Sequence, residues 1–142
     1  MFQRILLAWD GSPVSVRAFD AAIDLARRYG ADLVAVSVAH SPAHAETAAD
    51  RHETAEAAHR HLTQSFNEVA DRAQRAGVDV NHEIIDGDTP ARALLDYAGA
   101  HGFDLTVCGH HRSGRVGRLL LKDVALELIQ DGTPVLVISD QP

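Results

Sequence analysis

Two hydrophobic rhythms take turns along this chain: short runs of consecutive apolar residues, and stripes with apolar positions three and four apart. Phe2 to Trp9 is a mostly apolar run, the pattern of a central parallel strand buried on both faces. It ends at Asp10-Gly11-Ser12-Pro13, where Ser12 suits a helix N-cap and Pro13 the first helical position. Val16, Phe19, Ile23 and Ala26 then mark the buried stripe of a helix over Pro13 to Tyr29, stopped by Gly30. Ala31 to Ala39 is the second strand, and His40 to Ala48, small and polar around Pro42, is a loop. Ala49 to Ala76 reads as one long helix with Leu62, Phe66, Val69 and Ala73 facing inward and Gly77 as its stop.

Val78 to Ile85 is a third strand, placed at a sheet edge because Asp79, Asn81 and Glu83 share one face. Asp86-Gly87-Asp88-Thr89-Pro90 turns into a third helix that runs to about His101, with Ala91, Leu94, Leu95 and Ala98 inward. Phe103 to Cys108 is the fourth strand, Leu119 to Gln130 the fourth helix, and Pro134 to Ile138 the last strand. Strands and helices that alternate in this way predict an α/β fold in one domain over residues 1–142: a three-layer α/β/α sandwich around a five-stranded, mainly parallel open sheet with four helices. The order 3-2-1-4-5 is the simplest that buries strand one. Its switch point falls between strands one and four, and ligands of open α/β sheets bind at such a point, at the carboxyl ends of the strands.

Charge gives that point a chemistry. The formal net charge is −7, yet residues 109–123 carry four basic residues and one acid, which leaves nine basic against nineteen acidic residues elsewhere. An acidic body argues against a nucleic-acid partner, whose usual footprint is a basic face on a basic domain. A local basic loop suits a small anionic ligand instead. The ligand-binding set predicted for the cleft is Asp10, Gly11, Val38, Ala39, Gly109, His110, His111, Arg112, Arg115, Arg118, Lys122 and Asp123. No apolar run reaches the roughly 20 residues of a membrane helix, so no membrane partner is expected. The N-terminal apolar run is too short for a signal-peptide core, and a single cysteine excludes an internal disulfide, so a cytoplasmic setting is expected.

Five pieces, in this order and spacing, carry a resemblance: Ile5 to Ser12 with its Asp-Gly-Ser turn, Asp86 to Pro90, Leu105 to Gly109, Arg118 to Leu121, and Thr133 to Ile138. Over its whole length the chain resembles the universal stress protein family. The resemblance implies the five-stranded sheet order given above, a homodimer as the common assembly, and a stress-response role. It also implies a division, since some members bind ATP between strands one and four and others do not. The ATP-binding pattern is Gly, two residues, Gly, nine residues, then Gly-Ser or Gly-Thr. Laid on this chain it finds Gly109, then Arg112, then Lys122-Asp123, so one of four positions matches. Side chains at the glycine positions obstruct the approach of backbone amides to phosphate oxygens, and the Asp123 carboxylate repels phosphate. The Gly-His-His opening is similar to that of members without ATP binding. No cofactor is therefore expected, with an adenine nucleotide or other phosphate held by Arg112, Arg115, Arg118 and Lys122 as the alternative.

Other chemistry is weakly supported. Among nine histidines the one pair four apart, His40 and His44, lies in the Pro42 loop, and no metal site is predicted. Cys108 reads as a packed hydrophobe, Ser12 and Ser113 as cap and turn residues, and no nucleophile elbow is present, so no catalytic residues are assigned. The last strand, an apolar edge in the predicted order, is expected to pair with its copy through Val135, Leu136, Val137, Ile138 and Ser139 in a homodimer.

Overall fold

The computed structural model describes the backbone of residues 1–39, 48–110 and 119–140, and the side chains of all of these but 48–54 and 119–123. The elements run β1 (Arg4–Ala8), α1 (Pro13–Tyr29), β2 (Asp32–Ala39), α2 (Ala48–Asn67), α3 (Asp71–Arg75), β3 (Val80–Asp86), α4 (Pro90–Ala100), β4 (Leu105–His110), α5 (Leu119–Gln130) and β5 (Val135–Ser139). The five strands form one sheet in the order β3-β2-β1-β4-β5, and every neighbouring pair is parallel. No helix among the described residues is long and apolar enough to cross a membrane.

The pleat sorts side chains to two cores. Ile5, Leu7 and Trp9 of the first strand region face α1 together with Leu33, Ala35, Val107 and Phe66 of α2. Leu6 and Ala8 face the opposite way, toward α4 and α5, with Val36, Cys108, Leu94 and Leu128. Burial on both faces of the sheet is why β1 reads as an unbroken apolar run. Helix α1 is fixed at both ends by local chemistry. The Ser15 N–H donates to Ser12 Oγ at 3.3 Å, Pro13 begins the helix, and Gly30 closes it at φ 64° with its N–H on the Ala26 carbonyl.

Two expectations need correction. The helix predicted over residues 49–76 is divided into α2 and α3. Between them Val69 N–H bonds the Phe66 carbonyl, and Arg72 N–H that of Val69, three residues back rather than four. The tighter turn keeps Phe66, Val69, Ala70 and Ala73 on one apolar cluster, so packing wins over helical continuity. Strand four also runs past Cys108, because Gly109 and His110 pair with Ile138 and Ser139. The edge position of β3 agrees with its sequence, with Asn81 and Glu83 exposed and Val80, His82 and Ile84 half-buried between them.

Candidate functional site

The carboxyl ends of β1, β2 and β4 bring part of the predicted set together. Val38 packs in the cluster on the α4 and α5 face, and alternation from Cys108 puts His110 on that face of β4. His110 Nδ1 is buried and has no hydrogen-bond partner among the described residues. Ala39, at the end of β2, is buried, opposite Asp86 of β3. Asp10 follows β1 and accepts the Ser12 N–H on Oδ1 at 2.9 Å, an Asx turn that shapes the entry to α1. His111, Arg112, Arg115 and Arg118 lie outside the described residues, as do the side chains of Lys122 and Asp123 in α5.

The two glycines of the set have structural work that the sequence reading did not assign. Gly109 lies against the first turn of α1: a Cβ there would sit 2.8 Å from Val14 Cγ1 and 3.1 Å from the Val14 carbonyl carbon. Gly11 adopts φ +83°, and a Cβ on it would lie 3.0 Å from Ser65 Oγ and 3.9 Å from His61 Nε2 of α2. Helix α2 therefore closes down on the turn after β1.

Sequence reasoning missed the polar chain beneath that contact. The Ser37 hydroxyl donates to the Trp9 carbonyl at 2.7 Å, and His82 Nε2 lies 2.8 Å from Ser37 Oγ. A hydroxyl with its one proton given to a carbonyl is an acceptor for its second partner, which assigns the Nε2–H tautomer to His82. The Trp9 indole N–H donates to Ser65 Oγ at 3.1 Å, and Ser65 in turn donates to the Leu62 carbonyl. The signal was present as a serine inside the apolar run of β2, whose buried hydroxyl needs a partner. Its partners come from β1 and β3, and only the strand order names them.

Nucleophilic chemistry finds little support in this geometry. Burial pushes the Cys108 thiol up to about 12, so the thiolate is not formed. Ser12 is spent on the helix cap. Among the described residues, no three His, Cys, Asp or Glu side chains gather as a metal set. A separate groove of about 620 Å³ lies at the opposite, amino-terminal end of the strands, where Arg27, Asp32, Asp79 and Asn81 line it with mixed charge.

A sequence-family model, that of the Universal stress protein family, matches residues 1–139. The chain belongs to the universal stress protein family. Universal stress protein MJ0531 of Methanocaldococcus jannaschii is 29% identical over 142 residues, which span 98% of this chain and 83% of that protein. Among solved structures, universal stress protein UspA from Lactobacillus plantarum aligns with a TM-score of 0.82 at 24% identity, over 96% of this chain and 97% of that one. A universal stress protein solved in complex with cAMP aligns with a TM-score of 0.70 at 25% identity, over 96% of each chain. The sheet order of this universal stress protein is thus found in a family of which one member has been solved in complex with cAMP.

Proposed function

We propose that this universal stress protein is a non-enzymatic, cytoplasmic, homodimeric stress-response protein that does not hold ATP in the family's glycine cradle. The observation that carries this is the Gly109 position. It alone of the four motif positions is filled by the required residue, and its missing side chain is accounted for by the approach of Val14. Arg112, Lys122 and Asp123 occupy the other three. The buried, protonated Cys108 and the structural use of Ser12 favour action by binding rather than by covalent chemistry.

A second reading is favoured by the basic residues of the 109–123 stretch and by the relative solved with cAMP: a nucleotide- or phosphate-binding regulatory module. Asp10 and Val38 would then lie at the base or ribose, and Arg112, Arg115, Arg118 and Lys122 would supply the anion's countercharge. Calorimetry separates the two. With ATP, ADP, AMP and cAMP at millimolar concentration, no binding heat is expected from ATP. Heat from any other of the four, suppressed by rising salt, favours the second reading. Installing Arg112→Gly, Lys122→Gly and Asp123→Ser together is expected to create ATP binding. A native chain that already binds ATP would sink the first reading.

The homodimer rests on β5. Thr106 N–H bonds the Pro134 carbonyl and Asp140 N–H the His110 carbonyl, so residues 134, 136, 138 and 140 turn their backbone groups to β4. Val135 and Val137 turn theirs to the outer edge, which a two-fold copy would pair. The expected sedimentation mass at micromolar concentration is two chains. A mass of one chain overturns the assembly.

A further inference from the structure

The imidazole of His82 sits where three elements meet. Its Nε2–H is held by Ser37 of β2, and its ring lies 4.5 Å from that of Phe66 of α2 at a tilt of 30°. Phe66 in turn packs on Trp9 at 5.6 Å and on Phe19 at 5.4 Å. Among the described residues, the groups that face His82 are uncharged. From β2 they are Ala35, its register partner, and Ser37; from α2, Phe66. On β3 itself, Glu83 lies toward Tyr97 on the opposite side, and Asp86, farther along the row of His82, is engaged by His59 at 3.2 Å. Arg72 and Asp20, which tie α3 to α1, are paired with each other at 3.0 Å. A positive imidazolium here meets no countercharge among the described residues, and the face of one phenyl ring returns only part of its lost hydration.

What a charge on His82 would disturb is α2. Strand β3 is held to β2 by a seven-residue parallel ladder. Helix α2, by contrast, buries only Leu62 and Phe66 among its described side chains and adds the Trp9–Ser65 hydrogen bond. The helix is the weaker attachment, and it carries two further histidines, the half-buried His59 and the exposed His61.

We propose that His82 is an acid-operated latch: neutral, it seats Phe66 and keeps α2 over the Asp10-Gly11 turn; protonated, it releases α2 from the sheet. Release uncovers Trp9 and lifts Ser65 and His61 from Gly11. Burial holds the imidazole down to about 4, against the ordinary 6.5. The neutral form is thus favoured by the fold, its contribution is complete above about pH 6.5, and it is lost as the pH falls from there toward 4.

Trp9 is the single tryptophan of the chain and reports on the contact directly. Titration from pH 7.5 to 3.5 is expected to give a red shift of its emission with a midpoint between the two values. The far-ultraviolet helical signal should fall only by the share of α2, and the near-ultraviolet aromatic signal of Trp9 should fall with the emission. In His82→Gln, which keeps an N–H for Ser37 but takes up no proton, the shift is expected to vanish or move down by about one pH unit or more. The pair His59→Gln and His61→Gln should leave it in place. An unchanged midpoint in His82→Gln overturns the latch, and so does a wild-type transition in which the whole helical signal is lost at the same pH. Should His82→Gln not fold, the native imidazole C2 proton decides by magnetic resonance: titration well below 6.5, in step with the Trp9 shift, supports the latch, and titration near 6.5 overturns it.

Discussion

Gly109→Val is expected to cost more stability than any other single change at the switch point, about 3 kcal/mol or more, above the usual range for overpacking of about 1–3 kcal/mol. The first atom of any side chain at 109 would meet Val14 Cγ1 at 2.8 Å, Cγ2 at 3.0 Å and the backbone carbon at 3.1 Å. Val14 cannot swing aside, because a β-branched residue in a helix has one strongly preferred rotamer. Nor can the first turn of α1 slide. Ser12 is fully buried and caps it, and the Ser15 hydroxyl donates back to the Ser12 carbonyl at 2.7 Å. The strand is no freer, since Gly109 and His110 are paired to β5. Urea unfolding should show a lower midpoint at unchanged slope. Val14→Ala should recover part of the loss in Gly109→Ala, because it removes the two methyl contacts and leaves the backbone one. If Gly109→Val unfolds at the native midpoint, the glycine has no packing role, and phosphate approach becomes the better account of why it is there.

The fold was legible because each strand and helix carried its own local signal. Ser12-Pro13 opens α1, Gly30 closes it, and the apolar run ending at Trp9 matches a strand buried on both sides. Strand order followed from the same signals, since Asp79, Asn81 and Glu83 make β3 a plausible edge and nothing comparable interrupts β1. The division of α2 from α3 was hidden, because helical periodicity continues across it and only the shared cluster of Phe66, Val69 and Ala73 shows what the three-residue turns achieve.

The candidate site was legible in part for a related reason. Asp10 and Gly109 stand out as turn chemistry beside a switch point, and both are found at the ends of β1 and β4. Of the Trp9–Ser37–His82 chain only Ser37 leaves a local mark, as a serine in an apolar run, and nothing local names its partners. Ser37 and His82 are 45 positions apart, and their contact exists only because β2 and β3 pair with Ala35 opposite His82. The same holds for the close approach of Ser65 to Gly11, which depends on where α2 lands on the sheet.

The other large effect is expected from Phe19→Ala, a loss of about 3–5 kcal/mol by lost transfer energy and the cavity left behind. Phe19 has no exposed surface and lies at the centre of the aromatic cluster, 6.2 Å from Trp9 and 5.4 Å from Phe66. Against a total stability of about 5–15 kcal/mol for a domain of this kind, that loss removes a large share. Its effects should reach beyond the core. Phe66 is one of two buried anchors among the described residues of α2, and with Phe19 gone one wall of its seat is gone as well. Trp9, which loses the same neighbour, should emit farther to the red even in the folded state, and the protection of Ser65 and Phe66 amides from hydrogen exchange should fall more than that of β1. Phe19→Leu, which keeps most of the volume, should lose less than half as much. A loss below about 1 kcal/mol in Phe19→Ala would mean that the cluster is not the seat of α2, and the helix would then have to be held by Leu62 and the exposed pair of His59 with Asp86.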